Sequence, residues 1–385
     1  MNNFNFYNPT HIVFGKDRLA ELDSLIDKSA KVLILFGGGS VKKFGTLDKV
    51  KSALKDRQIV EFGGIEPNPQ FCTLMKAVKI VKEENIDFLL AVGGGSVMDG
   101  TKFVTLAASF EGEATELLKA GYGGVKLESA RPIGTVVTLS ATGSEMNSGG
   151  VVTYEGAKYA VFNPLAYPKF SFLDPTLTYT LPSIQVANGV VDAFVHVLEQ
   201  YLTYPAEGRF QDRTAEGILE TLLEIGKKTI DNPTDYDLRA NLVWCATNAL
   251  NGLIGAGVPN DWSTHMIGHE LTAMFGIDHA QTLAIIQPSL WKIRKEKKFQ
   301  KLLQYARRVW HITDEDEEKS VDLAIQKTRD FFESVGIKTN LSAYGIGKDK
   351  IDDIVAALEK NGSTALSETG DLTLDISREI LMDAL

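Results

Sequence analysis

Asp192 and His196 stand four residues apart in the run Gly189-Val-Val-Asp-Ala-Phe-Val-His-Val-Leu-Glu-Gln200. If that run is helical, their side chains lie one above the other on a single face. A carboxylate and an imidazole so placed offer two ligands to a divalent metal. The same spacing also serves an ordinary polar pair that supports a helix. A second cluster bears on the choice: three of the six histidines, His265, His269 and His279, fall between Asp261 and Gln281. Asp192, His196, His265 and His279 together supply one carboxylate and three imidazoles, a set that leaves a bound divalent ion electrophilic. His269, four residues after His265, is a spare: a further ligand, a proton relay or a plain helix histidine. His11 and His311 have no such companions and read as structural or exposed.

Two further stretches have phosphate chemistry. Gly37-Gly38-Gly39-Ser40 follows the apolar run Lys31–Phe36, and Gly93-Gly94-Gly95-Ser96 follows Asp87–Val92. Glycine lets a backbone approach a phosphate closely, and a helix starting there presents free N–H groups. Neither turn matches the GxGxxG or P-loop pattern. One such turn alone is equally a tight turn; two in equivalent positions fit a dinucleotide draped across a sheet edge. The first turn carries Lys42 and Lys43 and no acid. An acid there would bind a ribose 2′-hydroxyl and repel a 2′-phosphate, so this turn favours NADP(H). The alternative is that both lysines are solvated helix charges. The second turn continues to Asp99 and Lys102. Thr138-Leu-Ser-Ala-Thr-Gly-Ser-Glu145 is rich in hydroxyls that suit phosphate or ribose oxygens, and equally suits a helix start capped by Thr142 or Ser144.

The elements that must position these residues divide the chain. Before residue 180, strands are expected at 31–36, 58–62, 87–92, 132–137 and 170–173, with helices at 41–55, 71–84 and 97–108 and a hairpin at 151–162. That alternation predicts a parallel sheet covered by helices on both faces. From Pro182 onward the β signals stop. Helices are expected at 183–203, 208–231, 236–255, 261–275, 279–298, 302–309, 316–335, 348–360 and 374–384. The expected organisation is an α/β dinucleotide-binding domain over 1–180 and an all-helical metal-binding domain over 181–385. Bundles of this kind build metal sites from facing helices.

Length and composition bound the possibilities. The chain has 385 residues, 44% hydrophobic and 23% charged, as in soluble two-domain proteins. A net charge of −10 provides no basic stripe for nucleic acid. The two cysteines, Cys72 and Cys245, form no CxxC pair and fit a reducing compartment. The N-terminal residues lack the pattern of a secretory signal, and no run suits a membrane helix. Cytoplasmic residence is therefore expected.

Taken in order, these motifs resemble the iron-containing (group III) alcohol dehydrogenases, and within them the NADPH-dependent aldehyde reductase and butanol dehydrogenase branch. The resemblance also rests on Pro9-Thr-His-Ile-Val-Phe-Gly-Lys16, Gly64-Ile-Glu-Pro-Asn-Pro69, Leu139-Ser-Ala-Thr-Gly-Ser-Glu145, His265-Met-Ile-Gly-His-Glu270 and Asp278-His-Ala280, and spans nearly the whole chain. It implies a Rossmann-like domain followed by a helical, dehydroquinate synthase-like domain, with the active site in the cleft. It implies metal ligands at Asp192, His196, His265 and His279, with Fe2+ or Zn2+ as the ion. Implied cofactor contacts are Gly37, Gly38, Gly39, Ser40, Lys43, Gly94, Gly95, Ser96, Asp99, Thr138, Thr142 and Lys158. His269 corresponds to a histidine near the nicotinamide with a proton-transfer role. NAD-using members tend to carry an acid near Gly39, so its absence implies NADP(H). The substrates implied are aliphatic aldehydes and alcohols, and the assembly a homodimer, for which the β-like residues Phe4–Tyr7 offer a segment to pair across two copies.

Two other classes share the architecture or the binding groups. Dehydroquinate-synthase-like lyases and glycerol-1-phosphate dehydrogenases need cations for a phosphorylated substrate, yet no Lys or Arg occurs from Asp261 to Gln281. A non-catalytic protein that binds NADP or metal would show no aldehyde-dependent loss of NADPH absorbance.

Overall fold

The computed structural model describes residues 1–385, apart from the side chain of Tyr122. The chain forms two compact units that are not continuous in sequence. One comprises Tyr7–Leu181 with Thr234–Thr247; the other comprises Met1–Phe6, Pro182–Pro233 and Asn248–Leu385.

The first unit is built on a parallel sheet. Its strands are β1 (His11–Phe14), β2 (Lys31–Phe36), β3 (Gln58–Phe62), β4 (Phe88–Gly93) and β5 (Ile133–Val137). An antiparallel hairpin of β6 (Gly149–Tyr154) and β7 (Ala157–Phe162) follows, before β8 (Phe170–Leu173) rejoins the sheet. The order is β1-β8-β5-β4-β2-β3, every pair parallel. The central strands are unbroken apolar runs because both faces are covered. Successive residues feed opposite cores: Leu33, Leu35, Leu89 and Ala91 enter one, Val32, Ile34, Leu90 and Val92 the other. Between β2 and β4 the strand order reverses, which is where open α/β sheets bind ligands at their carboxyl ends.

The second unit is helical, with one long helix, Ser183–Tyr201, buried on nearly all sides from Val186 to Tyr201. A helix buried all round belongs inside a bundle, and its polar side chains Asp192, His196, Glu199 and Gln200 must find partners there. It packs against the helices Arg209–Asp231 and His279–Ile293, and the latter packs against Ser263–Phe275. Gly276, at φ +69, ends Ser263–Phe275, its N–H donating to Thr272 O at 3.0 Å.

Several expectations need correction. The helix expected over 41–55 is two, Ser40–Lys43 and Thr46–Ala53, because Gly45 adopts φ +76 between them. The break expected after residue 298 falls at Arg294, which leaves helical geometry and pairs with Asp371. His11–Phe14 is a strand that the sequence reading passed over. Strand structure does recur after residue 182, as the two-residue pair Ala365–Leu366 and Leu372–Thr373. Phe4–Tyr7 forms no strand within this chain.

Candidate metal centre and cofactor turns

In the helical unit, Asp192 and His196 face the same side of Ser183–Tyr201, as their spacing requires. Asp192 Oδ1 lies 3.7 Å from His196 Nδ1 and 3.7 Å from His279 Nε2. The structure brings ligand atoms of Asp192, His265 and His279 within 4.8 Å of one another. His196 stands beside that set, its ring stacked on His265 with centroids 4.8 Å apart. His269 is partly exposed, its ring 5.3 Å from that of His279 and 6.3 Å from that of His265.

The local sequence explains this convergence. His265 and His269 share one face of Ser263–Phe275, and His279 opens the next helix just past the Gly276 turn. Gly268 allows the two helices to approach: a Cβ there would stand 2.7 Å from Thr282 Oγ1. These residues fit a divalent cation on one structural ground above all. Asp192 Oδ1 is buried and has no hydrogen-bond partner among the described residues, a costly state for a carboxylate oxygen unless a cation faces it.

Glu199 went unnoticed in the sequence. It follows His196 by three residues and is buried, with Oε2 against His265 Nδ1 and Oε1 accepting the Thr264 N–H at 2.7 Å. Burial, then the charge of Asp261, pushes its carboxyl well above the ordinary range. The signal available was His196-x-x-Glu199, an acid one turn from a candidate ligand.

In the sheet unit, the cofactor candidates cluster at the carboxyl ends of three neighbouring strands. Gly37–Ser40 follows β2, Gly94–Ser96 follows β4, and Thr138–Ser144 follows β5, with Thr138 N–H donating to Gly93 O at 2.9 Å. At Gly38 and Gly39 an added Cβ would meet nothing within 4 Å, and Gly39 has φ +103. The second turn is tight: a Cβ on Gly94 would stand 3.0 Å from Leu139 Cβ, and one on Gly95 2.5 Å from Thr142 Cγ2. Asp99 accepts from Ser144 Oγ at 2.7 Å and from Val151 N–H at 2.9 Å, tying the β5 loop to the hairpin. Lys158 lies on β7, opposite Thr153, and its charge reaches Asp99. Lys102, fully enclosed, donates to Asn147 Oδ1 at 2.8 Å and Gly149 O at 2.7 Å, and burial lowers its pKa to about 8. Near the first turn, Glu61 on β3 pairs with Lys51 at 2.6 Å and Lys42 at 3.3 Å, so its charge is balanced. Lys43 rests over the Phe44 ring.

Comparison with known proteins finds one family in both parts of the chain. Residues 9–175 match the family described as iron-containing alcohol dehydrogenase, and residues 186–368 match its C-terminal region. The chain belongs to the iron-containing alcohol dehydrogenase family. Within that family it is 55% identical to the NADPH-dependent aldehyde reductase YqhD of Escherichia coli, covering 99% of each chain. The solved structure of that E. coli protein superposes with a TM-score of 0.97, covering 100% of this chain and 99% of the other at 54% identity. An NADP-dependent alcohol dehydrogenase of Entamoeba histolytica is 39% identical over 95% of each chain. The structure of an NADH-dependent butanol dehydrogenase from Thermotoga maritima has a TM-score of 0.94 at 36% identity, covering 100% of this chain and 99% of that one. Fold and family are thus settled, while the relatives divide between the two nicotinamide cofactors.

Proposed function

We propose that this family member is a metal-dependent, NADP(H)-linked oxidoreductase that interconverts aldehydes and primary alcohols. The observation that carries the proposal is the donor set of buried Asp192 and His265 with half-buried His279, in which an Asp192 oxygen lacks a hydrogen-bond partner among the described residues. Asp192, His196, His265 and His279 would hold one divalent ion. Imidazole with carboxylate suits both Fe2+ and Zn2+, and iron is the first expectation from the family name. When bound, the ion supplies Lewis acidity toward a carbonyl oxygen and NADPH supplies the hydride.

The chain's own residues do the rest. In the turn Gly37, Gly38, Gly39 and Ser40, the middle two glycines leave open backbone for phosphates, with Lys43 as a nearby cation. Gly94, Gly95, Ser96, Thr138 and Thr142 form the second wall of the cofactor site. Asp99 keeps that wall in place through Ser144 and the hairpin, and Lys158 approaches from β7. NADP(H) over NAD(H) is supported by glycine at position 39 and by the neutralisation of Glu61 by two lysines. His269 is the group proposed to hold and move the proton that accompanies hydride transfer. An uncharged, partly apolar substrate is supported by Trp262, Met266, Met274 and Phe275 beside the histidines in Asp261–Gln281, a stretch without Lys or Arg.

Cofactor binding is assigned to residues 1–180 and metal binding to 181–385. A homodimer is supported by the exposed Phe4, Phe6 and Tyr7 near the N-terminus. No helix of the described residues is long and apolar enough to cross a membrane, and the two free cysteines suit the cytoplasm.

The test is to purify the protein, measure its metal content, and follow NADPH and NADH oxidation across a panel of aldehydes. His265→Ala is expected to abolish turnover and metal content while NADPH still binds. Full turnover by metal-free protein, or a strong preference for NADH, would overturn the corresponding part of the proposal.

A further inference from the structure

We infer that Glu199 is a positioning residue that fixes the tautomer of His265, so that this imidazole presents Nε2 to the metal. The inference rests on the metal centre proposed above.

Glu199 is 3% exposed, and its two carboxylate oxygens have separate partners. Oε1 accepts the Thr264 N–H at 2.7 Å, and Oε2 meets His265 Nδ1. The Thr264 N–H on Oε1 and a cation on Nε2 both favour an ionised Glu199 against its burial, so the proton shared by Oε2 and Nδ1 sits on Nδ1 and the ring's lone pair is on Nε2. A metal ligand needs that lone pair, and an outer carboxylate that holds the other ring nitrogen also sets the ring's orientation.

Glu199 is itself held from behind. Asp261 N–H donates to Glu199 O at 2.8 Å. The Asp261 carboxylate accepts the Ser263 N–H at 2.9 Å and pairs with Lys298 at 2.9 Å. Lys298, 2% exposed, also donates to Leu202 O at 2.8 Å and pairs with Glu368 at 3.0 Å. One buried lysine on the helix Lys295–Arg308 thus clamps the start of Ser263–Phe275 onto the end of Ser183–Tyr201. Those are the two helices that must stay in register for Glu199 to reach His265.

A simpler role would be to satisfy the Thr264 amide at the start of its helix and nothing more. Glu199→Gln separates the two. The amide oxygen still accepts from Thr264, but the NH2 now faces Nδ1, which must become the acceptor. The proton then moves to Nε2, the wrong nitrogen for ligation. Capping survives this change and tautomer control does not.

The experiment uses the full chain, stripped by a chelator and titrated with Zn2+ against a chromophoric competitor. Glu199→Gln should weaken Zn2+ binding by about 10–100-fold, the usual effect of losing such a partner. Glu270→Gln is the matched control: a buried acid on the same helix as His265, bonded to Asn361, whose loss should leave the affinity unchanged. His265→Ala should abolish binding and so tests the metal centre itself. If His265→Ala loses the ion but Glu199→Gln binds as wild type, Glu199 only caps a helix and the inference fails alone. If His265→Ala binds as wild type, the metal centre fails and takes the inference with it. Should Glu199→Gln not fold, 15N spectra of histidine-labelled wild-type protein decide the matter: His265 should carry its proton on Nδ1, and the opposite tautomer overturns the inference.

Discussion

The turns Gly37–Ser40 and Gly93–Ser96 have the same four residues and end neighbouring strands, β2 and β4, yet glycine is needed in them for opposite reasons. In the first, a side chain at position 38 or 39 would project into open space, and Gly39 is required for its positive φ. In the second, side chains would collide with Leu139 and Thr142 of the β5 loop. The first turn has open space beside Gly38 and Gly39; the second packs Gly94 and Gly95 against the β5 loop. A motif written in letters merges an empty cradle with a packing contact, and only the neighbours tell them apart.

Substitutions can break that contrast or sharpen it. The largest effect is expected from Gly39→Asp. A carboxylate beside a 2′-phosphate costs about 3 kcal/mol on top of the strain that any side chain meets at φ +103, so KM for NADPH should rise about 100-fold more than that for NADH. An equal rise for both cofactors, measured by initial rates, would mean that the first turn does not face the 2′-phosphate. Next comes Gly95→Ala, which forces a methyl group onto Thr142. Overpacking of this kind costs about 1–3 kcal/mol, so the cofactor-free protein should melt several degrees lower by calorimetry. Unchanged melting would show that the second turn has slack and the contrast is overstated. The smallest effect is expected from Gly38→Ala. Melting should stay within about a degree, since nothing is displaced, while the dissociation constant for either cofactor rises about fivefold to tenfold as backbone approach is blocked. If titration calorimetry found no loss of binding, the cradle would not be where the phosphates lie.

Much of this was legible beforehand. The strands after Lys31 announced themselves as continuous apolar runs, and the Asp192–His196 spacing survived intact because i,i+4 geometry is a local property of a helix. What escaped depends on distant parts of the chain. His11–Phe14 is a short strand, and it is one only because Phe170–Leu173 accepts it across most of the sheet unit. Glu199 looked like one helix acid among many; its importance comes from Thr264 and His265, far along the sequence. Gly45 was read as part of a helix because glycine announces freedom rather than the φ actually taken. Lys298 carries no local sign of its burial, which comes from Asp261 and Glu368.

The segment Thr234–Thr247 belongs to the sheet unit although it is flanked on both sides by residues of the helical one. Within the sheet unit, Thr247 donates to the buried Glu145 at 2.6 Å and Trp244 meets Phe14 edge-on. A fragment ending at residue 180 would leave that glutamate without its donor and expose the surface that this segment covers. For anyone hoping to graft the nucleotide-binding half onto another protein, the transplantable piece is therefore not a prefix of the gene. It is two ribbons of chain that would first have to be joined by a designed connection.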